Sequence, residues 1–203
     1  MTSLEGTVVA AEVATDDELV EELRRGSSAA LGELFDRYAD RVYNYCFRRI
    51  GSWHQAEDLT SVTFLEVWKI RERAASYDGE ALPWLYGVAT NVCRNASRSQ
   101  RRHLRAVDRL PAEDQADHAD DVAQAVDGER RMAEVLRALE QLSRRDRDVV
   151  ALIAWSGLTY EQAAHALHVP VGTVRSRLAR ARQRLSQALT ESLSEFPNGA
   201  DHE

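Results

Sequence analysis

Leu31, Leu34, Phe35, Tyr38, Val42, Cys46 and Ile50 recur at steps of mostly three and four residues, so one apolar stripe runs from Leu31 to Ile50. Only a helix of about 3.6 residues per turn lays such a series on one face. Gly51 then stops it. Thr15-Asp16-Asp17-Glu18 has capping-box spacing ahead of Leu19 and Leu23, which predicts a short helix closed by Gly26. A third helix is expected from about Gln55 to Arg71, with Leu59, Thr63 and Val67 on one stripe and Phe64 and Trp68 beside it. Residues 74–81 read as a loop. Pro83 suits the first turn of a fourth helix, where a missing amide costs nothing; Leu82, Leu85, Ala89, Val92 and Ala96 face inward, and a basic run closes it at Arg98, Arg101, Arg102, His103 and Arg105. Neither strand alternation nor an internal repeat occurs, and the fold class is all-α.

The second half is punctuated more tightly. Ser143 to Asp146 again has capping spacing, Val149, Val150, Leu152 and Ile153 follow, and Gly157 ends the segment. Thr159-Tyr160-Glu161-Gln162 opens another capped helix, about two turns long, with Ala163, Ala164 and Leu167 expected on its inner face. His168 stands at a turn position that favours glycine, which predicts mild backbone strain there. Past Pro170 a last helix turns Val174, Leu178, Ala181 and Leu185 inward and leaves Arg175, Ser176, Arg177, Ala179, Arg180, Arg182 and Arg184 on its open side. Two short helices joined by a tight turn, the second basic on its outer face, describe a helix-turn-helix. An arginine-rich face alone is often merely solvated. Here the capped short helix, the turn and the arginines occur together, and DNA binding accounts for all three.

Charge divides the chain in the same places. The formal net charge is -7, yet residues 129–190 carry eleven basic and six acidic side chains, while residues 105–128 carry two basic and seven acidic ones. The acidic stretch, with Pro111 and Gly128 and acids alternating with alanine, has few bulky groups for a core and reads as a flexible linker. The expected organisation is two small helical domains, 15–104 and 129–191, the second holding the helix-turn-helix, with the linker 105–128 between them and disordered tails at 1–14 and 192–203. No apolar run approaches the roughly 20 residues of a membrane span, and the N-terminus lacks a basic start followed by an apolar block, so a cytoplasmic protein without membrane insertion is expected. Cys46 and Cys93 have no Cys or His at metal spacing and read as buried free thiols. No glycine-rich phosphate loop, metal cluster or nucleophile-base motif appears, so neither an enzyme nor a cofactor or metal is expected.

Pro170-Val171-Gly172-Thr173-Val174-Arg175-Ser176-Arg177-Leu178, continuing with Arg180-Ala181-Arg182, resembles the promoter-reading end of extracytoplasmic-function (ECF) sigma factors, group 4 of the sigma-70 superfamily. Ala56-Glu57-Asp58-Leu59, Thr63-Phe64, Val67-Trp68 and then Pro83-Trp84-Leu85-Tyr86-Gly87-Val88-Ala89-Thr90-Asn91 resemble the first domain of that family, in the same order. The resemblance covers roughly 17–104 and 129–190. Ser61-Val62 departs from a Gln-Glu pair common in the family.

The resemblance implies an RNA polymerase sigma factor that directs promoter-specific transcription initiation. Its partners would be core polymerase, through the beta and beta-prime subunits, and promoter DNA, with an anti-sigma factor as a further candidate. The first domain (region 2) would dock on polymerase through Glu57, Asp58 and Phe64, although a solvated first turn also explains the two acids. It would capture the separated -10 strand with Tyr77, Trp84 and Asn91, because an unstacked base needs an aromatic wall and an amide to read its edge. Trp84 has a second reading as a core residue, and Tyr77 one as a plain loop aromatic. Arg94, Arg98, Arg101 and Arg102 would hold phosphates. The second domain (region 4) would bind the -35 duplex, with Arg175, Ser176 and Arg180 toward the major groove, Arg177 toward phosphates, and the amides near Thr173 at a helix N-terminus. The linker would be a tether, or an acidic mimic of a nucleic-acid backbone. A dimeric one-component regulator would share the helix-turn-helix, but would replace the first domain with a ligand pocket or dimer interface.

Overall fold

The computed structural model describes residues 13–107 and 123–194, and among these every regular element is helical. Helices α1 (Asp16–Arg24), α2 (Ser28–Ile50), α3 (Trp53–Lys69) and α4 (Leu82–Val107) build the first half. Helices α5 (Ala123–Ala138), α6 (Arg144–Val150), α7 (Tyr160–Leu167) and α8 (Val171–Ser194) build the second, and a π-helical segment, Ala151–Trp155, continues α6. The expected all-helical fold is present. Helix α4 runs on to Val107 and α5 begins at Ala123, so helix enters both ends of the acidic stretch; the rest of that linker, like most of both tails, lies outside the described residues.

The helix ends form where capping chemistry predicts. Thr15 and Glu18 make a reciprocal capping box, the Thr15 amide donating to Glu18 Oε2 at 2.8 Å. These bonds to Thr15 hold the exposed Glu18 carboxyl below its usual pKa. Ser27, Ser52 and Ser143 cap α2, α3 and α6, and Thr159 with Gln162 forms a second capping box at α7. Gly51 takes a left-handed conformation at φ 81° and accepts the end of α2 that a side chain would strain. Helix α3 starts at Trp53, two residues earlier than the apolar spacing predicts, because Ser52 is its cap.

Asp16 locks the first half together. Its carboxylate is 6% exposed and accepts from Arg37 Nη1 at 2.6 Å, from the Tyr38 hydroxyl, and from the Ala81 amide at 2.7 Å. One acid in the first turn of α1 thereby joins α2 and the start of α4. Burial raises the Tyr38 pKa and the bond to Asp16 raises it further, so the phenol stays a proton donor. Behind this lock Leu34, Val42, Cys46, Ala56, Phe64, Val67, Leu85 and Ala89 fill a common core. Tyr45 adds a buried hydrogen bond to Thr90 Oγ1 at 2.7 Å. Cys46 and Cys93 are buried free thiols with sulfurs 3.7 Å apart.

The two halves pack on each other. Helix α7 lies on α4, and the π segment lies on α2. Residues 81–90 are buried without a break, since α2 and α3 cover one side of α4 and α7 covers another. This arrangement changes one expectation for α7. Ala163 and Ala164 are buried as predicted, but Ala166 is buried and Leu167 only partly so, because α7 is covered on two sides.

Replacing Asp16 by Ala should destabilise the protein by about 3 kcal/mol, since it strands a guanidinium, a phenol and an amide at one buried point. Chemical denaturation followed by circular dichroism measures this. A loss under about 1 kcal/mol would mean that the three donors find other partners.

Candidate nucleic-acid interface

The helix-turn-helix forms as its sequence predicts. His168 ends α7 in the left-handed region at φ 52° and ψ 49°, and the Val169 amide returns to the Ala164 carbonyl at 3.0 Å. Helix α8 then presents Val174, Leu178 and Ala181 to the core, at 0%, 5% and 0% exposure. The opposite stripe is Gly172, Ser176, Ala179 and Gln183, all exposed. Arg175 and Arg182 flank it on one side, and Arg177 with Thr173, both half-buried, on the other; Arg180 is exposed beside the stripe.

Side chains of the second half hold these arginines loosely. Arg175 lies over the Tyr160 ring at 5.8 Å and 3.9 Å from Glu161, with 65% of its side chain exposed. Arg180, 57% exposed, reaches the buried Asp146 at 3.4 Å. The Arg175–Glu161 pair is exposed and stabilises little, the Arg180–Asp146 contact is long, and both guanidiniums stay more than half exposed. Ser176 donates its hydroxyl to the Thr173 carbonyl at 3.0 Å, so its oxygen faces outward as an acceptor. Gly172 and Gln183 extend the open side beyond the residues expected there, which included Ala179. The signal is spacing, because the small Gly172, Ser176 and Ala179 stand three, four and seven positions apart on one face between the arginines.

In the first half the candidate strand-binding residues divide. Asn91 is exposed and accepts from Arg94 Nη1 at 3.0 Å. It lines a cleft of about 240 Å³ with Trp84, Gly87, Asn95, Ile70 and, across from them, His168. Trp84 is only 4% exposed, which fits its core reading. Tyr77 is half-buried in a short turn, exchanging backbone hydrogen bonds with Glu80 at 2.8 and 3.1 Å, and its ring meets His165 of α7 at 5.1 Å. Arg94 is committed to Asp148, through Nε at 2.9 Å and Nη2 at 2.7 Å. Arg98 and Arg102 are exposed, while the Arg101 side chain lies outside the described ones.

On α3, Glu57 and Asp58 are exposed, but Phe64 is not. At 4% exposure it packs edge-on against Phe35, ring centroids 4.9 Å apart, so the expectation that Phe64 meets a partner is corrected. Its neighbours on the outer face are the exposed ones: Leu65 is 60% exposed, Phe35 41% and Val62 40%. Val62 and Leu65 stand three residues apart, off the inward stripe of α3, and that spacing was the available signal.

A helical unit with an acid-rimmed apolar face, joined to a helix-turn-helix with a solvent-facing basic second helix, defines a DNA-binding protein that also docks on another protein. Comparison with known proteins narrows the class. The model of sigma-70 region 2 matches residues 34–103, and that of sigma-70 region 4 matches residues 132–185. The ECF RNA polymerase sigma factor SigE of Mycolicibacterium smegmatis is 35% identical over 86% of this chain and 68% of its own length. RNA polymerase sigma-H factor of Pseudomonas aeruginosa is 31% identical over 89% and 96%. Among solved structures, CnrH in complex with the cytosolic domain of CnrY shares the fold at a TM-score of 0.62, with 22% identity over 87% of this chain and 97% of that one. RpoE in complex with the anti-sigma factor NepR from Bartonella quintana does so at 0.55, with 24% identity over 78% and 96%. The chain belongs to the ECF sigma factors of the sigma-70 family, and its function is promoter-recognising transcription initiation. Among the described residues no helix is long and apolar enough to cross a membrane.

His168→Gly should raise stability by up to about 1 kcal/mol, because relief of the left-handed backbone outweighs the added freedom of the unfolded chain. Denaturant midpoints measure it. A loss would show that the imidazole contacts outweigh the strain.

Proposed function

We propose that initiation by this protein rests on three surfaces. Helix α8 reads the -35 duplex, the α4 face with the preceding loop captures the melted -10 strand, and the outer side of α3 docks on the beta and beta-prime subunits of core polymerase in the cytoplasm. The observation that carries this reading is the open stripe of α8, where small Gly172 and Ala179 lie between exposed Arg175 and Arg180. Small residues let a helix sink into the major groove until long neighbours reach base edges, and arginine bonds guanine O6 and N7 together. Ser176 serves a base amine or a phosphate-bound water, and Arg177 and Arg182 neutralise phosphates on either side. The N-terminus of α8 near Thr173 favours a phosphate oxygen.

For the melted strand, the cleft beside Asn91 holds about 240 Å³, room for one unstacked base with an amide at its edge. Arg98 and Arg102 face solvent farther along α4, where they meet the phosphates that follow. On α3, exposed Phe35, Val62 and Leu65 beside the carboxylates of Glu57 and Asp58 have the composition of a protein interface, an apolar centre with a charged rim. The region between Trp53 and Lys69 therefore supplies the polymerase contact by apolar burial first and by charge second. CnrH and RpoE are each seen with a second protein, in one case a named anti-sigma factor, and a protein of that kind is a candidate partner here too.

Run-off transcription with core polymerase tests the whole reading. Arg175→Ala or Arg180→Ala should cost about 1 to 3 kcal/mol of discrimination between promoter and altered -35 sequences, with core affinity unchanged. An equal loss on every sequence would make both arginines phosphate contacts. Leu65→Asp should weaken core binding at least about tenfold while -35 duplex binding stays intact. Unchanged core affinity in that variant would move the polymerase contact off α3.

A further inference from the structure

We infer that the cavity where α2, α4, α5, α6 and the π segment meet is a binding site for a phosphate-sized dianion. The site lies apart from the three surfaces assigned to initiation and does not depend on them.

Four guanidiniums line the cavity: Arg49 of α2, Arg94 of α4, and Arg144 and Arg147 of α6. Among the described residues no acidic side chain shares its wall. Asp148 is fully buried and gives both oxygens to two of the arginines, taking Arg49 Nη2 at 2.5 Å and Arg94 Nε and Nη2 at 2.9 and 2.7 Å. One carboxylate cannot neutralise both, and Arg144 brings a third positive charge to the same space. These three against Asp148 leave an excess of two. Arg49 and Arg94 cannot swing into solvent to shed it, because Asp148 pins them with side chains only 13% and 29% exposed. Like charges held together in a partly closed space repel, and an anion among them relieves the repulsion.

An orphaned donor adds a second, independent sign. Arg49 Nε is buried and has no hydrogen-bond partner. Native folds leave few buried donors unmet, and one on a charged group is especially costly. An oxyanion beside Arg49 supplies the missing acceptor.

The walls set the size and chemistry of the ligand. The cavity measures about 60 Å³, room for one tetrahedral oxyanion with water beside it. Leu136, Leu139 and Trp155 form its apolar sides, and low polarity strengthens every charge-assisted bond within. Ser97 donates its hydroxyl to the Cys93 carbonyl at 3.0 Å, so recognition falls to the guanidiniums. Their planar forks fit the oxygen spacing of phosphate, whose charge of about -2 matches the excess of two. A nucleic-acid backbone carries a similar group, but Arg49 lies too deep for a polymer to reach. A free phosphate ion, or the end of a small phosphomonoester, enters.

Calorimetric titration of the full chain with inorganic phosphate, at an ionic strength held constant with chloride, tests the site. One phosphate should bind per chain with a dissociation constant below about 1 mM. At ten times that constant, the melting midpoint should rise by about 3 to 6 °C. Arg144→Gln should weaken binding at least about tenfold. Arg145→Gln removes the same charge from the next residue, which is exposed and off the cavity wall, and should change affinity less than about twofold. Both arginines are exposed, so both variants keep the fold, which circular dichroism checks. Methyl phosphate separates the two sources: binding as tight as that of phosphate assigns a phosphomonoester, and loss of binding assigns the free ion. A wild-type chain without saturable phosphate binding would overturn the inference. Equal weakening in the two variants would do the same, since it marks a diffuse positive field. Displacement of phosphate by a short single-stranded oligonucleotide would also overturn it, and would return these arginines to a nucleic-acid surface.

Discussion

Helix α4 is the wall that both halves share, and its burial on every side from residue 81 to residue 90 governs what surrounds it. A helix in that position needs apolar groups all round, or small ones where another helix comes close. The sequence from Leu82 to Thr90 meets both demands, with Leu85, Val88 and Ala89 toward neighbours and Gly87 at the approach of α7. Thr90 is buried with its hydroxyl satisfied by Tyr45 and by the Tyr86 carbonyl. Without α7 in place, part of that surface would face water.

Two buried aspartates anchor the ends of this arrangement by the same physics. Asp16 gathers α1, α2 and the start of α4, and Asp148 gathers α2, α4 and α6. Removing a carboxylate from water is expensive, and each is repaid only when several donors converge on it. Such a point contact specifies geometry more than it adds stability. The difference lies in what each one joins: Asp16 works within one half, whereas Asp148 ties α6 of the second half to Arg49 and Arg94 of the first.

The outer face of α8 follows a different rule. Arg175 and Arg180 rest against Tyr160, Glu161 and the buried Asp146 through contacts of 3.4 Å or longer, with both guanidiniums more than half exposed. Arg94 and Arg49 form short, buried ones. Arginine therefore occurs in two settings in one chain, separated by burial: guanidiniums more than half exposed on α8, and part-buried ones paired with an internal acid.

Much of this was legible in the sequence because it depends on neighbours a few residues apart. Capping boxes at Thr15 and Thr159, the stops at Gly51 and Gly157, and the split of α8 into an apolar and a basic face are local facts, and helices form where local spacing and local caps agree. The left-handed turn at His168 was legible for the same reason. The burial of Phe64 was not legible because motif order says nothing about which way a residue points, and the pairing of Arg94 was not because its acid stands 54 residues away on α6. The sequence by itself determined the helices, their faces and the family. Only the tertiary structure decided that α7 covers α4, that Gly87 is a point of approach and that Asp148 binds two arginines, since each depends on groups far apart in the chain that meet only when the helices pack.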